Sequence, residues 1–396
     1  MYGLTMPAFL EVFTVALRLG LTSFGGPIAH LGYFRDEYVV RRRWLDEKSY
    51  ADLVALCQFL PGPASSQVGM AIGISRARLP GALAAWLGFT LPSALLLIVF
   101  AFGVNALGTA AAAGWLHGLK VVAVAVVAQA VWGMAKSLCP DRLRATLAIV
   151  AAVVTLSWPT AAGQVGSIIV AGIVGWLALA PIKLTSQVDA LFPVSKGTGV
   201  FALIIFFVLL LGLPAIRPLA QSHWLDVFDS FFRVGSLVFG GGHVVLPLLQ
   251  TEVVGSGWIT DEQFVAGYGA TQAVPGPLFT FSAYLGAVMN GWRGALLALT
   301  AIFLPSLLLV VGALPFWQRL RANANFQSAL SGVNAAVVGL LLAALYNPVW
   351  SSAIHSATDF ALALVGFMLL MFWKQQPLLV VLLSAAAGET LARLLS

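Results

Sequence analysis

Two arginines stand where charge is costly. Arg18 and Arg233 lie inside apolar runs, and each precedes a Phe-Gly-Gly triplet, Phe24-Gly25-Gly26 and Phe239-Gly240-Gly241. Gln58 and Gln272 each precede a Pro-Gly-Pro, Pro61-Gly62-Pro63 and Pro275-Gly276-Pro277. Pro removes an amide donor and Gly adds backbone freedom, so both motifs should interrupt a helix within a hydrophobic stretch. An interruption leaves orphan amides at the N-terminus of the next half-helix, and that end favours an anion. A guanidinium adds a planar, multi-donor surface for oxyanions. Ser23, Ser65, Ser66, Gln67, His243, Thr280 and Ser282 stand beside the breaks and could coordinate oxyanion oxygens without adding charge. Each also has a plainer reading. The arginines could snorkel to a headgroup surface, and the hydroxyls could bond between helices.

Other titratable groups carry weaker signals. His30 and His243 could titrate in a proton-coupled cycle, but a structural role is the simpler reading for each. Glu11 and Asp226 sit at helix starts, where a carboxylate complements the dipole. Lys120 reads first as a snorkelling lysine. Cys57 and Cys139 are too few for a disulfide framework or a zinc site, and no phosphate-binding glycine loop ends in Lys-Ser or Lys-Thr. No catalytic constellation, metal site or cofactor is expected. Any driving force must come from an ion gradient, the membrane potential or exchange.

The elements that must position these residues are membrane helices. The chain is 60% hydrophobic and 9% charged, against about 25% charged in soluble domains. Apolar runs recur at Pro80–Phe102, Gly118–Met134, Gln164–Ala180, Gly199–Leu213, Gly294–Val311, Ser328–Tyr346, Phe360–Trp373 and Pro377–Leu391. Strand-like alternation is absent, so an all-α polytopic membrane protein is expected. The N-terminus shows no signal peptide. The net charge of +6 reads as topology information rather than nucleic-acid binding.

The paired motifs belong to a repeat. Glu11, Arg18, Gly20 and Phe24-Gly25-Gly26 match Asp226, Arg233, Gly235 and Phe239-Gly240-Gly241 at one offset (233 − 18 = 215). Trp44 and Gln58 match Trp258 and Gln272 at 214, and Pro92-Ser93 matches Pro305-Ser306 at 213. So constant an offset marks a duplicated half. The halves are expected at 1–197 and 217–396, joined by a transmembrane segment over 198–216. The loop Arg35–Lys48 carries five basic residues, whereas its counterpart Gln250–Gln263 carries none and holds Glu252, Asp261 and Glu262. The positive-inside rule puts the first in the cytoplasm and the second outside, an inverted repeat of the kind that builds secondary transporters. If the segment around Pro61-Gly62-Pro63 dips in and returns, Arg76, Arg78, Lys136, Arg142, Arg144, Lys183 and Lys196 join the same side. Inversion then needs an odd number of crossings between the two loops. Five result if the Phe24-Gly25-Gly26 segment is also a broken hairpin.

The run FGGPIAHLGYFRDEYVVRRRWLDEKSYADLVALCQFLPGPASSQVGMAIG, with VFGGGHVVLPLLQTEVVGSGWITDEQFVAGYGATQAVPGPLFTFSAYLG in the second half, resembles the two signatures of the chromate ion transporter family. The resemblance covers nearly the whole chain and implies a long-chain, two-domain member. It also implies export of chromate across the bacterial inner membrane, giving chromate resistance, by proton motive force or oxyanion exchange. A sulfate or other oxyanion carrier, and a passive anion channel, are the alternatives. The partners expected are the oxyanion, the lipid bilayer and a second copy in a homodimer, with no nucleic acid.

Overall fold

The computed structural model describes residues 7–23, 26–111, 113–180, 193–238, 245–317 and 323–395. Helices make up the fold, with no strand among the described residues. In chain order they are α1 Ala8–Thr22, α2 Gly26–Phe34, α3 Glu47–Phe59, α4 Ala64–Ala111, α5 Ala113–Leu138, α6 Arg142–Ser157, α7 Ala161–Ala178 and α8 Lys196–Ala220. The second half gives α9 His223–Leu237, α10 Val245–Val253, α11 Asp261–Thr271, α12 Phe281–Ala313, α13 Ala324–Ala344, α14 Ala357–Met371 and α15 Pro377–Leu395. The repeat is visible in the bounds: α1 shifted by 215 coincides with α9 (8 + 215 = 223; 22 + 215 = 237). Seven helices thus repeat in order, and α8 alone has no counterpart.

Each half opens with two helical hairpins whose ends gather at one surface. Arg42 pairs with Glu11 at 3.0 Å, so the chain after α2 has returned to the start of α1. Arg76, beyond the first Pro-Gly-Pro, lies 3.5 Å from Glu11 and its guanidinium stands over the Trp44 ring at 5.0 Å. The segment from Trp44 to Arg76 therefore begins and ends together: it enters, breaks at Pro61-Gly62-Pro63 and comes back. Asp46 caps α3 by accepting from the Ser49 amide, and its counterpart Thr260 caps α11 in a reciprocal box with Gln263. In the second half His223, Trp258 and Asn290 gather in the same way, with Asn290 Nδ2 2.7 Å from His223 Nε2.

A sharp turn then launches the crossing helix of each half. Arg78 (φ 53°) and Gly291 (φ 60°) are repeat mates (291 − 78 = 213) with left-handed backbone inside α4 and α12. Gly73 packs on Gly81, and Gly286 on Gly294, so closely that a Cβ at any of the four would strike backbone. The two crossing helices run antiparallel. Phe102, towards the end of the first, packs against Trp292 at the start of the second, ring centroids 5.7 Å apart. The end of the second, Gly312 to Phe316, meets Gly199, and neighbouring Thr198 lines a cavity of about 310 Å³ with Arg78 and Pro80 at the start of the first. These contacts make the repeat inverted. After the turn at Arg78 five helical stretches precede α9: the rest of α4, then α5, α6, α7 and α8. Among the described residues of the whole chain, five helices are long and apolar enough to cross a bilayer: Ala64–Gly103, Gly114–Lys136, Lys196–Ala220, Leu278–Phe316 and Ala324–Ala353.

The halves interlock rather than sit side by side. Gly118 packs on Ser384 and Gly388 on Gly114, joining α5 to α15. Gly332 packs on Ala171 and Gly175 on Ser328, joining α13 to α7 in the mirrored arrangement. Small residues allow such close approach where no hydrophobic force drives helices together. The topology gives a direct expectation. In a Cys57→Ala, Cys139→Ala background, Arg43→Cys and Arg78→Cys should react with an impermeant maleimide from one face of the membrane, and Ser256→Cys from the other. Labelling of Arg43→Cys and Arg78→Cys from opposite faces would contradict the hairpin.

Candidate functional site

The two Pro-Gly-Pro tips meet the ends of α1 and α9 across the halves. The Gly62 amide donates to the Val238 carbonyl at 2.6 Å, and the Gly276 amide donates to the Ser23 carbonyl at 2.9 Å. Ser23 and Val238 are repeat mates (238 − 23 = 215), as are Gly62 and Gly276 (276 − 62 = 214). The two bonds are therefore one contact seen twice about a pseudo-two-fold axis. Each Pro-Gly-Pro tip caps the end of the other half's first helix and consumes one of its orphan carbonyls. Gly62 (φ 118°) and Gly276 (φ 97°) hold backbone conformations that favour glycine. The Gly62 tip faces Ser306 and Gln67, and the Gly276 tip faces Ser93 and the Phe89 carbonyl.

Beside the breaks lie buried polar atoms without partners among the described residues: Ser23 Oγ, Ser66 Oγ, Gln67 Oε1, Gln272 Nε2 and Ser306 Oγ. Ser23, Gln67 and Ser306 are 0% exposed and Ser66 3%. An unpaired buried polar group costs about 1–3 kcal/mol, so these atoms beside the two breaks suit a polar cargo. Gln67 also donates to the Pro61 carbonyl at 2.6 Å, which fixes its oxygen in place. Buried Ser65 lies 3.3 Å from His30 Nδ1 through its Oγ. Helix α2 begins at Gly26 (φ 79°) and α4 directly after Pro63, and a 3-10 turn, Leu278–Thr280, leads from Pro277 into α12, so the amide ends of α2 and α4 lie at the breaks.

The arginines behave differently from each other. Arg233 is clamped: Nη2 donates to Asp229 at 2.9 Å and Nη1 to Glu252 at 2.8 Å. Ser230 Oγ donates to Glu252 at 2.7 Å, and Arg217 of α8 reaches Asp226 at 2.7 Å and Asp229 at 3.3 Å. Two buried carboxylates thus occupy the Arg233 guanidinium. Arg18 is exposed on α1, one turn before the break, and forms no ion pair among the described residues.

Of the other residues singled out in the sequence, Gln58 is exposed at the end of α3, whereas the side-chain nitrogen of its repeat mate Gln272 is buried and without a partner among the described residues. Thr280 and Ser282 turn back to bond the Pro277 and Phe279 carbonyls. Phe24, Gly25, Phe239, Gly240, Gly241 and His243 lie outside the described residues. Glu252 is the main departure. It belongs to α10 and is buried against Arg233, not to an outer loop. Ser93 and Ser306 also gain a role the sequence reading did not give them, although they were already repeat markers at offset 213.

An inverted repeat of broken hairpins, with buried polar atoms beside reciprocal tips, is the architecture of a membrane transporter. The comparisons agree with that class. The family model described as "Chromate transporter" matches residues 10–176 and 225–389, and the chain belongs to the chromate transporter family. The chain is 31% identical to a "Chromate transport protein" of Pseudomonas aeruginosa, over 96% of this chain and 91% of that one. It is 28% identical to a "Chromate transport protein" of Cupriavidus metallidurans, over 92% and 88%. It is 26% identical to a "Probable chromate transport protein" of Synechococcus elongatus, over 94% and 93%. No solved structure matches the chain.

Proposed function

We propose that the protein is a secondary active transporter that exports chromate across the bacterial inner membrane, driven by proton motive force or by oxyanion exchange, and so confers chromate resistance. The halves 1–197 and 217–396 act as the two opposed elements, and 198–216 joins them. The observation that carries the reading is the pair of reciprocal tips, with unpartnered buried Gln67 and Ser306 at one and Ser23 at the other. Hydroxyl and backbone N–H groups donate to the oxygens of a tetrahedral dianion, and the amide oxygen of Gln67 accepts from a bridging water. The basic end, with Arg35, Arg41, Arg42, Arg43, Arg76 and Arg78, faces the cytoplasm by the positive-inside rule and concentrates anions at that entrance.

The test is flux into everted membrane vesicles holding this protein. Chromate uptake is expected to saturate and to run uphill when a pH gradient or trapped sulfate is supplied. Ser306→Ala and Ser23→Ala each remove one donor worth about 1 kcal/mol, so each should raise the KM for chromate roughly 5-fold. Uptake that never saturates and only follows the chromate gradient would mean a channel. Saturable sulfate uptake without chromate uptake would reassign the cargo.

A further inference from the structure

The two halves carry one arginine–glutamate lock in two different states. Glu37 and Glu252 are repeat mates at the offset that relates Arg18 to Arg233 (252 − 37 = 215). Both glutamates are buried, 6% and 9% exposed. In the second half the lock is closed: Glu252 binds Arg233 at 2.8 Å. In the first half Glu37 is taken by others. Its Oε2 accepts from Arg41 Nη1 at 2.8 Å and its Oε1 from Arg42 Nε at 2.8 Å. Among the described residues Arg18 is left without an ionic partner, although its charge still acts on Glu37. Burial pushes the Glu37 carboxyl up, and the Arg42 hydrogen bond with the charges of Arg41, Arg42 and Arg18 holds it below the usual range. The asymmetry is written in the sequence, because the positions that match Arg41 and Arg42 are Ser256 and Gly257 (41 + 215 = 256; 42 + 215 = 257).

We propose that Arg41 and Arg42 are positioning residues for transport: by occupying Glu37 they keep Arg18 free to receive the incoming oxyanion, while the unrelieved lock at Glu252 keeps Arg233 out of anion binding. This rests on the reading of the protein as an oxyanion carrier. Arg18 lies seven residues along α1 from Glu11, which marks the basic surface, so it stands about 10 Å below it. That depth suits a first stop between the cytoplasmic entrance and the break at Ser23. A carboxylate and a dianion compete for the same guanidinium fork, so the group holding Glu37 away sets how well Arg18 binds. Arg76 still contacts Glu11 when Arg42 is replaced, so the hairpin end keeps one of its ties.

The experiment has two arms on the full-length protein. In reconstituted vesicles, Arg41→Gln/Arg42→Gln should raise the chromate KM about 10-fold with kcat nearly unchanged, and adding Glu37→Gln should restore it. Arg18→Gln should raise KM by as much, and Glu37→Gln should not rescue it. In detergent, a thermal-melting cycle on Arg18→Gln and Glu37→Gln should show weak coupling in the wild-type background, from the charge of Arg18 on Glu37 alone, and clearly stronger coupling in the Arg41→Gln/Arg42→Gln background. Coupling that does not rise between the two backgrounds overturns the lock, as does failure of Glu37→Gln to restore KM in a protein that melts normally. If coupling appears while Arg18→Gln transports chromate normally, the lock stands, the role in anion reception falls, and Arg18 is removed from the oxyanion path.

Discussion

Gly62→Ala should nearly abolish transport, and Gly276→Ala should impair it less. A methyl group on Gly62 would collide with Ser306 Oγ and stand 2.7 Å from Gln67 Nε2. At Gly276 the corresponding methyl meets Ser93 Oγ at 2.8 Å and the Phe89 carbonyl at 3.2 Å. Both positions also carry strain, since φ values of 118° and 97° are ones that L-residues rarely adopt, at a cost on the order of 1–3 kcal/mol. The tip cannot retreat, because the Gly62 amide is tied to the Val238 carbonyl of the other half. Displacing it breaks that bond and moves Ser306 and Gln67 from the positions in which they flank the tip. A 100-fold fall in kcat/KM for chromate is the expected result for Gly62→Ala, and roughly 10-fold for Gly276→Ala. Ser306→Ala should partly rescue Gly62→Ala, because the serine Cβ lies 3.5 Å away and only the hydroxyl is in the way. Equal, small losses at both glycines would mean that the tips do not pack as described.

Much of this geometry was legible in the chain because it is duplicated. A Pro-Gly-Pro in an apolar run is ambiguous alone, but two at a fixed offset, with Phe-Gly-Gly before each, demand one structural cause. The basic residues around Arg76 and Arg78 could share a surface with Arg35–Lys48 only if the intervening segment returned, and the Arg76–Glu11 and Arg76–Trp44 contacts are that return. What the sequence did not disclose depends on which groups meet across the halves. The tip of one half seals the first helix of the other, so Ser23 pairs with Gly276 and not with nearby Gly62. Offsets relate equivalent positions and carry no information about that exchange. Arg18 and Arg233 looked alike by the same logic, since equivalence in sequence implied equivalence in role. Their partners separate them, and the signal was present: Glu37 and Glu252 match at offset 215, while Arg41 and Arg42 have no basic counterparts. Reading Glu252 as part of an acidic outer loop hid it, because an acidic stretch serves the topology argument equally well whether its carboxylates face water or protein.

Arg233→Met should destabilise the protein more than any single change in the first half's ion pairs. Asp229 is 2% exposed and Glu252 9%, and the Arg233 guanidinium lies between them. Removing the cation leaves Arg217, at 3.3 Å, as the remaining cation on Asp229, and Ser230 as the donor to Glu252. Breaking a buried pair from one side costs about 3–5 kcal/mol because the remaining charge stays desolvated. By contrast Arg76 and its partner Glu11 are 39% and 33% exposed. Water can replace either of them, so losing Arg76 should cost about 1 kcal/mol or less. Arg41 and Arg42 share the buried Glu37, so removing one leaves the other on it. The melting temperature of Arg233→Met in detergent should therefore fall well below that of Arg76→Met. Adding Glu252→Gln should recover about half of the loss, because the neutral amide still accepts from Ser230 and no longer needs a countercharge. Arg233→Lys should not restore the wild-type value, since one ammonium cannot span two carboxylates as a planar fork does. A melting temperature for Arg233→Met equal to that of Arg76→Met would show that the clamp contributes nothing to stability. The same variants bear on transport with opposite sign. If Arg233 holds α9 to α10 and does not bind the anion, Arg233→Met/Glu252→Gln should keep its chromate KM while Arg18→Gln loses it, even though the two arginines occupy the same place in the repeat.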